Sequence, residues 1–143
     1  MILTNAQCRL AARPTGLPEA ADWSFVEEPA PEPGGGEFRV QVEYISLDPA
    51  MRAWMNAGRS YVPAVEIGEV MRAAGIGRVI DSHHSDFEVG DQVYGVFGVQ
   101  RYAISDGWPK RSRPGSSRDA SLTWKCAVAV WASRNRRWRG DVS

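Results

Sequence analysis

The stretch ISLDPAMRAWM (45–55) is the first part of the chain that could do chemistry. It runs from a predicted strand through Asp48 and the following proline directly into a predicted helix. Residues that leave a strand at an irregular edge are well placed to meet a ligand, so Met51, Arg52 and Trp54 are candidates for the rim of a pocket. A capped turn with only a structural role explains the same residues, because aspartate and proline commonly begin a helix. Position in the sequence does not separate the two interpretations.

Two glycine-rich stretches invite comparison with a dinucleotide-binding turn, and neither fits it. That turn needs G-x-G-x-x-G after a strand and at the start of a helix. After Gly75 and Gly77 the third glycine position holds Ile80, and the residues that follow favour a strand. The pattern therefore predicts a glycine turn between strands. The glycines at 34–36 have no predicted strand before them and no helix after them.

The histidines and cysteines do not assemble into a catalytic or metal-binding set. His83 and His84 are adjacent in a loop-like stretch, and neighbouring side chains on an extended chain point in different directions, which disfavours a shared metal. Cys8 and Cys126 are far apart and belong to no CxxC or Cys/His cluster, so we expect two free thiols in a reducing compartment. No Ser/His/Asp or Cys/His nucleophilic set is found, and no metal site is expected.

The elements that must position these residues are mainly β-strands. The most regular pattern lies in residues 37–47, where apolar side chains recur at every second position from Phe38 to Tyr44, as in a half-buried strand. Residues 50–58 predict a short helix of about two turns. Further short strands are predicted at 4–12, 22–28 and 101–104, and, with tight glycine turns, across 62–99.

The charge distribution divides the chain after Gly107. Residues 1–107 hold 8 basic and 15 acidic residues, whereas residues 108–143 hold 9 basic and 2 acidic ones. The second part also carries four of the six tryptophans, and it lacks a clean hydrophobic period. We therefore expect one folded domain, residues 1–107, followed by a poorly structured basic tail, residues 108–143.

The composition is that of a globular protein. Hydrophobic residues make up 43% of the chain and charged residues 24%, and 143 residues support one core. No window approaches about 18 uninterrupted apolar residues, and the N-terminus has no long apolar run behind a basic start. These features predict a cytoplasmic protein that does not enter a membrane.

Four blocks of the sequence, taken in order, resemble a known family. The blocks are RPTGLP, VQVEYISLDPAMRAWMN, SYVPAVEIGEVMRAAGIGRVIDS and FEVGDQVYGVFGVQRYAISDG. Together they are similar to the N-terminal catalytic domain of the zinc-independent medium-chain dehydrogenase/reductases. Within that superfamily they most resemble the NADPH-dependent alkenal and enone double-bond reductases, which include the prostaglandin- and leukotriene-inactivating reductases.

The resemblance implies both a fold and a chemistry. The fold is a GroES-like, partly open β-barrel with short helices. The chemistry is transfer of hydride from NADPH to the β-carbon of an α,β-unsaturated aldehyde or ketone, with protonation at the α-carbon. Because enolate charge builds on the carbonyl oxygen, the protein must supply donors near that oxygen and an apolar cleft. In the family this domain forms one wall of the cleft, and a Rossmann domain binds the cofactor.

The resemblance carries site residues over to the DPxMR-like block, the GEVMR-like block and the tyrosine of SYVP. Asp48 and Pro49 are candidate contacts on the nicotinamide side, and no catalytic residue is assigned. Val70 and Arg72 complete the second block. The candidates for the substrate pocket are Met51, Arg52, Tyr61, Glu69 and Met71.

The sequence departs from the family in places that affect the site. Ala50 stands where the family often has a tyrosine, which removes one phenolic donor or pocket wall. The stretch 98–102 reads GVQRY instead of GWQEY, which loses a large aromatic side chain and reverses a charge. The zinc-dependent relatives place a cysteine ligand and a His-Glu pair where this chain has Leu47-Asp48 and Glu69-Val70. The resemblance therefore implies no zinc, and it leaves the substrate open.

Beyond Gly107 the resemblance stops, and three hypotheses remain. A tail rich in Trp, Arg and Ser is typical of a GC-rich gene translated in a shifted frame. The chain would then be a truncated catalytic half with an exposed apolar face, without a cofactor site and inactive alone, and neither nucleic acid nor a membrane would be a partner. Alternatively, the protein is a small β-barrel binding module whose basic-aromatic tail binds nucleic acid or an anionic membrane. In the third hypothesis, the domain docks a separately encoded nucleotide-binding domain.

Overall fold

The computed structural model describes residues 2–58 and 62–107, so the predicted tail and Tyr61 lie outside the described residues. The described part is mainly β, as predicted. None of its helices has the length and apolar character needed to cross a bilayer. The elements in chain order are β1 (Thr4–Leu10), a 3-10 helix (Ala20–Asp22), β2 (Trp23–Pro29), β3 (Phe38–Ile45), α1 (Ala50–Trp54), β4 (Ala74–Ser82), β5 (Gln92–Val96) and β6 (Tyr102–Ser105).

The strands form two antiparallel sheets that β1 connects. One sheet pairs β1 with β2, and the other has the order β5-β4-β3-β6. The second edge of β1 bonds to two loop segments, because Cys8 N–H donates to the Val99 carbonyl and Met71 N–H donates to the Cys8 carbonyl, both at 2.9 Å. This closure on one side agrees with the predicted GroES-like, partly open barrel.

The predicted turn at Gly75 and Gly77 is wrong, because both glycines lie inside β4. A Cβ atom on Gly75 would lie 2.6 Å from the backbone oxygen of Tyr44, and one on Gly77 would collide with the backbone oxygen of Gln41. The glycines therefore let β3 approach β4 closely. Their role is strand packing, which a local sequence pattern does not distinguish from a turn.

The helix α1 is shorter than predicted, with five residues from Ala50 to Trp54. Its continuation would require the carbonyl of Trp54 to accept from the N–H four residues later. That carbonyl instead accepts from Val65 N–H at 2.8 Å. A contact from a distant segment thus ends the helix before Gly58.

Buried apolar residues form two clusters. The residues of the first, which we call the methionine cluster, come from β1, from α1 and the residue that follows it, and from the segment 65–73: Leu10, Met51, Met55, Val65, Met71 and Ala73. The residues of the second come from the four-stranded sheet and its loops: Phe38, Val40, Val79, Val93, Phe97 and Ala103. The methionine cluster contains the two methionines carried over by the resemblance, so this end of the domain is the candidate site.

Candidate active site

Met51 and Met71, which are distant in sequence, meet in the methionine cluster. Met51 lies on the inner face of α1, and Met71 is fully buried. The backbone of Met71 is held on both sides, since its N–H donates to Cys8 and its carbonyl accepts from Val99 N–H at 2.8 Å. Thioether side chains adapt to varied apolar shapes. The two residues therefore contribute to an apolar, adaptable cluster at the end of β3.

Asp48 determines how the chain passes from β3 into α1. Its carboxylate accepts from Ala50 N–H at 2.7 Å, and its backbone carbonyl accepts from Met51 N–H at 2.9 Å. Its own N–H donates to the sulfur of Met51 at 3.4 Å. Asp48 thus bonds to the first N–H of α1 and orients Met51, whereas the N-cap position belongs to Pro49, which was predicted as the first helical residue. The neighbouring Pro49 is exposed at the same corner.

The guanidinium of Arg52 holds the loop that follows β1. It donates to the carbonyl oxygens of Pro14 and Gly16 and to the side-chain oxygen of Asn56, at 2.6 to 3.0 Å. The forked guanidinium can satisfy several acceptors in fixed geometry. Arg52 therefore anchors the RPTGLP loop against α1, a contact that connects two of the resemblance blocks.

Glu69 closes a tight turn beside the cluster. Its carboxylate accepts from Glu66 N–H at 2.9 Å, and its own N–H donates to the Glu66 carbonyl at 3.1 Å. Gly68 within this turn has a φ of 90°, which favours glycine. The backbone carbonyl of Glu69 accepts from Leu10 N–H at 3.0 Å. The structure thus places the Glu69 carboxylate on the backbone of its own turn.

Trp54 and Arg72 lie together at the side of the methionine cluster. Trp54 packs against the cluster, and Cζ of Arg72 lies 5.6 Å from the centroid of its ring. Arg72 also donates to the carbonyl of Pro63 at 2.7 Å. Sequence reasoning did not pair these two residues, because they are distant in the chain.

Met55 is a methionine of the cluster that sequence reasoning missed. It is 4% exposed and belongs to the methionine cluster with Met51. The four-residue spacing of Met51 and Met55 was the available signal, since residues at that spacing share a helix face.

The remaining candidate groups do not form a site. In residues 2–58 and 62–107, no three of the His, Cys, Asp and Glu side chains group as metal ligands. His83 contacts the Pro33 carbonyl through Nδ1, whereas His84 accepts from Asp86 N–H through its own Nδ1. Burial raises the pKa of the Cys8 thiol, which keeps it protonated at neutral pH.

A small pocket in the described residues lies away from the methionine cluster. Phe38, Phe87, Phe97 and Gly107 are among its lining residues. None of the residues carried over by the resemblance lines it. It therefore adds nothing to the candidate site.

The described residues do not fit the phosphate end of NADPH. Dinucleotide phosphates bind at free backbone N–H groups on a glycine-rich turn that begins a helix. Gly75 and Gly77 are inside a strand. At the start of α1, the N–H of Ala50 is already bonded to the Asp48 carboxylate, whose charge would repel a phosphate. Neither the Gly75–Gly77 stretch nor the start of α1 therefore offers a phosphate cradle of this kind.

Known proteins are similar to this chain over most of its length. A family model described as the N-terminal domain of oxidoreductase matches residues 6–111. The NADPH-dependent curcumin reductase of Escherichia coli strain K12 is 41% identical over 103 residues, which are 72% of this chain and 30% of that protein. The NADP-dependent 2-alkenal reductase of Nicotiana tabacum is 31% identical over 107 residues, which are 71% of this chain and 31% of that protein.

A solved structure is also similar to this chain, in both sequence and fold. The crystal structure of CurA from Vibrio vulnificus in complex with NADPH is similar with a TM-score of 0.69 and 42% identity, and the match covers 71% of this chain and 30% of that one. The chain thus spans less than a third of the length of the relatives it matches. By its sequence and its fold, the chain belongs to the N-terminal oxidoreductase domains of the zinc-independent medium-chain dehydrogenase/reductases.

Proposed function

We propose that this chain supplies the catalytic domain of an NADPH-dependent reductase that acts on the C=C bond of α,β-unsaturated aldehydes and ketones. The observation that carries the proposal is the family match over residues 6–111, on a domain whose two motif methionines share one buried cluster. The relatives are named as a curcumin reductase and a 2-alkenal reductase. Both names describe reductases, and a 2-alkenal is an α,β-unsaturated aldehyde. The names therefore support this substrate class for the present chain.

The chain's own residues would bind and orient the substrate. Met51 and Met71 would form the apolar floor, and Arg52 and Glu69 would hold the loops around it through the backbone contacts described above. We also propose that Tyr61, which lies outside the described residues, is near the substrate. Exclusion of water by such a floor strengthens any hydrogen bond made to a carbonyl oxygen above it.

NADPH would provide the hydride in this reaction, and we propose that a nucleotide-binding domain holds it. The described residues offer no phosphate cradle, so their part would be limited to the substrate side of the cleft. Asp48 and Pro49, at the exposed corner before α1, are the proposed contacts on the nicotinamide side. We also propose a cytoplasmic location, where NADPH is available.

The test combines this full chain with the separately expressed nucleotide-binding domain of the E. coli curcumin reductase. We expect NADPH absorbance to fall when benzylideneacetone is added to the mixture, and to stay constant with either part alone or with the saturated ketone. A pull-down between the two parts is measured in parallel. Association without NADPH oxidation would contradict the proposed reaction.

The basic segment 108–143 is proposed to come from a shifted reading frame, because its charge and composition reverse those of the domain. Sequencing the coding DNA across the Gly107 codon tests this. A different frame that continues into a glycine-rich Rossmann segment would support the proposal, and the absence of one in any frame would contradict it.

No observation in the described residues favours a nucleic-acid or membrane-binding module.

A further inference from the structure

The indole nitrogen of Trp54 is a buried hydrogen-bond donor that has no acceptor. In residues 2–58 and 62–107, only two buried side-chain nitrogens lack a partner, Nε1 of Trp54 and Nε of Arg39. The guanidinium of Arg39 is held by its other nitrogens, which donate to Asp81 and to the Pro31 carbonyl. Trp54 has a single N–H, and that N–H is unused. A buried donor without an acceptor is unfavourable, so an acceptor atom from a ligand would be stabilising there.

The position of Trp54 places this donor at the proposed substrate surface. Trp54 is the last residue of α1 and packs against the methionine cluster. A long side chain on a helix lies over the turn that precedes it, where the residue four positions earlier shares its face. That residue is Ala50, so only a methyl group stands at this point of the helix face.

Arg72 favours an acceptor with negative charge at the same place. Its Cζ atom lies 5.6 Å from the ring centroid of Trp54, within the range of a cation–π contact. A cation over the face of an indole leaves the N–H free, because that bond lies in the ring plane. Nη1 of Arg72 is bonded to the carbonyl of Pro63, which holds the guanidinium in position. A donor, a positive charge and an apolar floor thus occur together.

We propose that the Trp54 N–H donates a hydrogen bond to the carbonyl oxygen of the unsaturated aldehyde or ketone. Arg72 is a positioning residue in this arrangement, since it holds the indole and adds a positive charge near the oxygen. This inference rests on the proposed function and assigns the recognition of the carbonyl group to a residue of this chain. A hydrocarbon of the same shape would reach the methionines but leave the indole N–H unbonded.

The test is an NMR titration of the full chain, labelled at nitrogen and at the methionine methyl groups, with benzylideneacetone as the probe. β-Methylstyrene, which has the same skeleton around the double bond but no carbonyl, is the matched control. The Trp54 indole signal is identified by its loss in Trp54→Phe. We expect benzylideneacetone to shift the methyl signals of Met51 and Met71 and the Trp54 indole proton together, and β-methylstyrene to shift only the methyl signals.

The variants give the size of the effect. Trp54→Phe should weaken benzylideneacetone binding about tenfold, the loss of one buried hydrogen bond, and should weaken β-methylstyrene binding much less. Arg72→Gln should weaken the ketone more than the hydrocarbon, and Arg72→Lys should restore part of the difference. If Trp54→Phe does not fold, the comparison of the two probes on the native chain decides.

The two proposals fail in different ways. Methyl shifts at Met51 and Met71 without an indole shift would overturn the role of Trp54 and leave the proposed function standing. Equal indole shifts with both probes would do the same, because the carbonyl group would not matter. If no methionine or indole signal moves, the chain does not bind such compounds at this surface, and both proposals fail.

Discussion

The guanidinium of Arg52 donates twice to the carbonyl oxygen of Gly16, through Nε at 3.0 Å and through Nη2 at 2.8 Å. The same Nη2 also donates to the Pro14 carbonyl at 2.9 Å. The backbone of the RPTGLP loop is therefore fixed relative to α1, which carries Arg52. The resemblance assigns Arg52 to the substrate pocket. Through its contacts with this loop, Arg52 shapes the surroundings of that pocket.

Replacing Arg52 with lysine should destabilise the domain, because an ammonium group cannot form the two-pronged contact with Gly16. We expect a loss of about 1–2 kcal/mol in the free energy of unfolding, measured by urea denaturation. Arg78→Lys is the matched control, since that side chain is 46% exposed in its ion pair with Glu43 and should change stability by less than about 0.5 kcal/mol. Equal losses for the two variants would contradict the anchoring role.

Removal of the Asp48 carboxylate should weaken the start of α1, because that carboxylate accepts from Ala50 N–H. Asp48→Ala should cost about 1 kcal/mol, whereas Asp48→Asn should cost much less, because an amide oxygen can accept from the Ala50 N–H in the same way. The measurement is again chemical denaturation of the full chain. If asparagine were as destabilising as alanine, the charge of Asp48 rather than its hydrogen bond would be responsible.

A methyl group at position 77 should disrupt the pairing of β3 and β4. Gly77→Ala should cost about 2 kcal/mol or more, since the added Cβ collides with the backbone of Gln41. Gly35→Ala, where a Cβ meets no atom within 4 Å, should change the melting temperature little. Similar melting temperatures for both variants would show that the strands can move apart without cost.

The Cys8 thiol should react slowly at neutral pH, because burial raises its pKa and reaction requires the thiolate. In a Cys126→Ser background, reaction with a thiol reagent should accelerate as the pH rises, with a midpoint above that of the urea-unfolded chain. The same shift means that the folded state binds the proton more tightly. The contribution of Cys8 to stability is present at pH values below its pKa in the unfolded chain. It is lost as the pH rises through its pKa in the folded chain. A midpoint equal to that of the unfolded chain would contradict this prediction.

Patterns within a single run of residues predicted β3 and the start of α1. The alternation from Phe38 identified β3, and the Asp-Pro pair identified the start of α1. The pattern did not predict the irregular register between Val42 and Tyr44, after which Tyr44 is 44% exposed. Such an irregularity depends on the partner strand, so no run of residues within β3 reveals it.

The contacts among the candidate site residues could not be predicted from the sequence. The motif blocks identified Met51 and Met71, which the structure brings together in one cluster. The partners of Arg52 and the pairing of Trp54 with Arg72 depend on how distant segments meet. Sequence spacing is informative within one helix or strand, and these contacts join different ones.

The bonding of β1 on both edges sets the order in which the domain can fold during synthesis. This strand is made first, and β2 can pair with it early, yet Cys8 bonds to Met71 and Val99, and Arg101 N–H donates to the carbonyl of Ala6 at 2.9 Å. Closing loops of such length is slow and must precede the contacts that stabilise them. Until Arg101 has left the ribosome, the second edge of β1 in the nascent chain stays open to pairing with other chains.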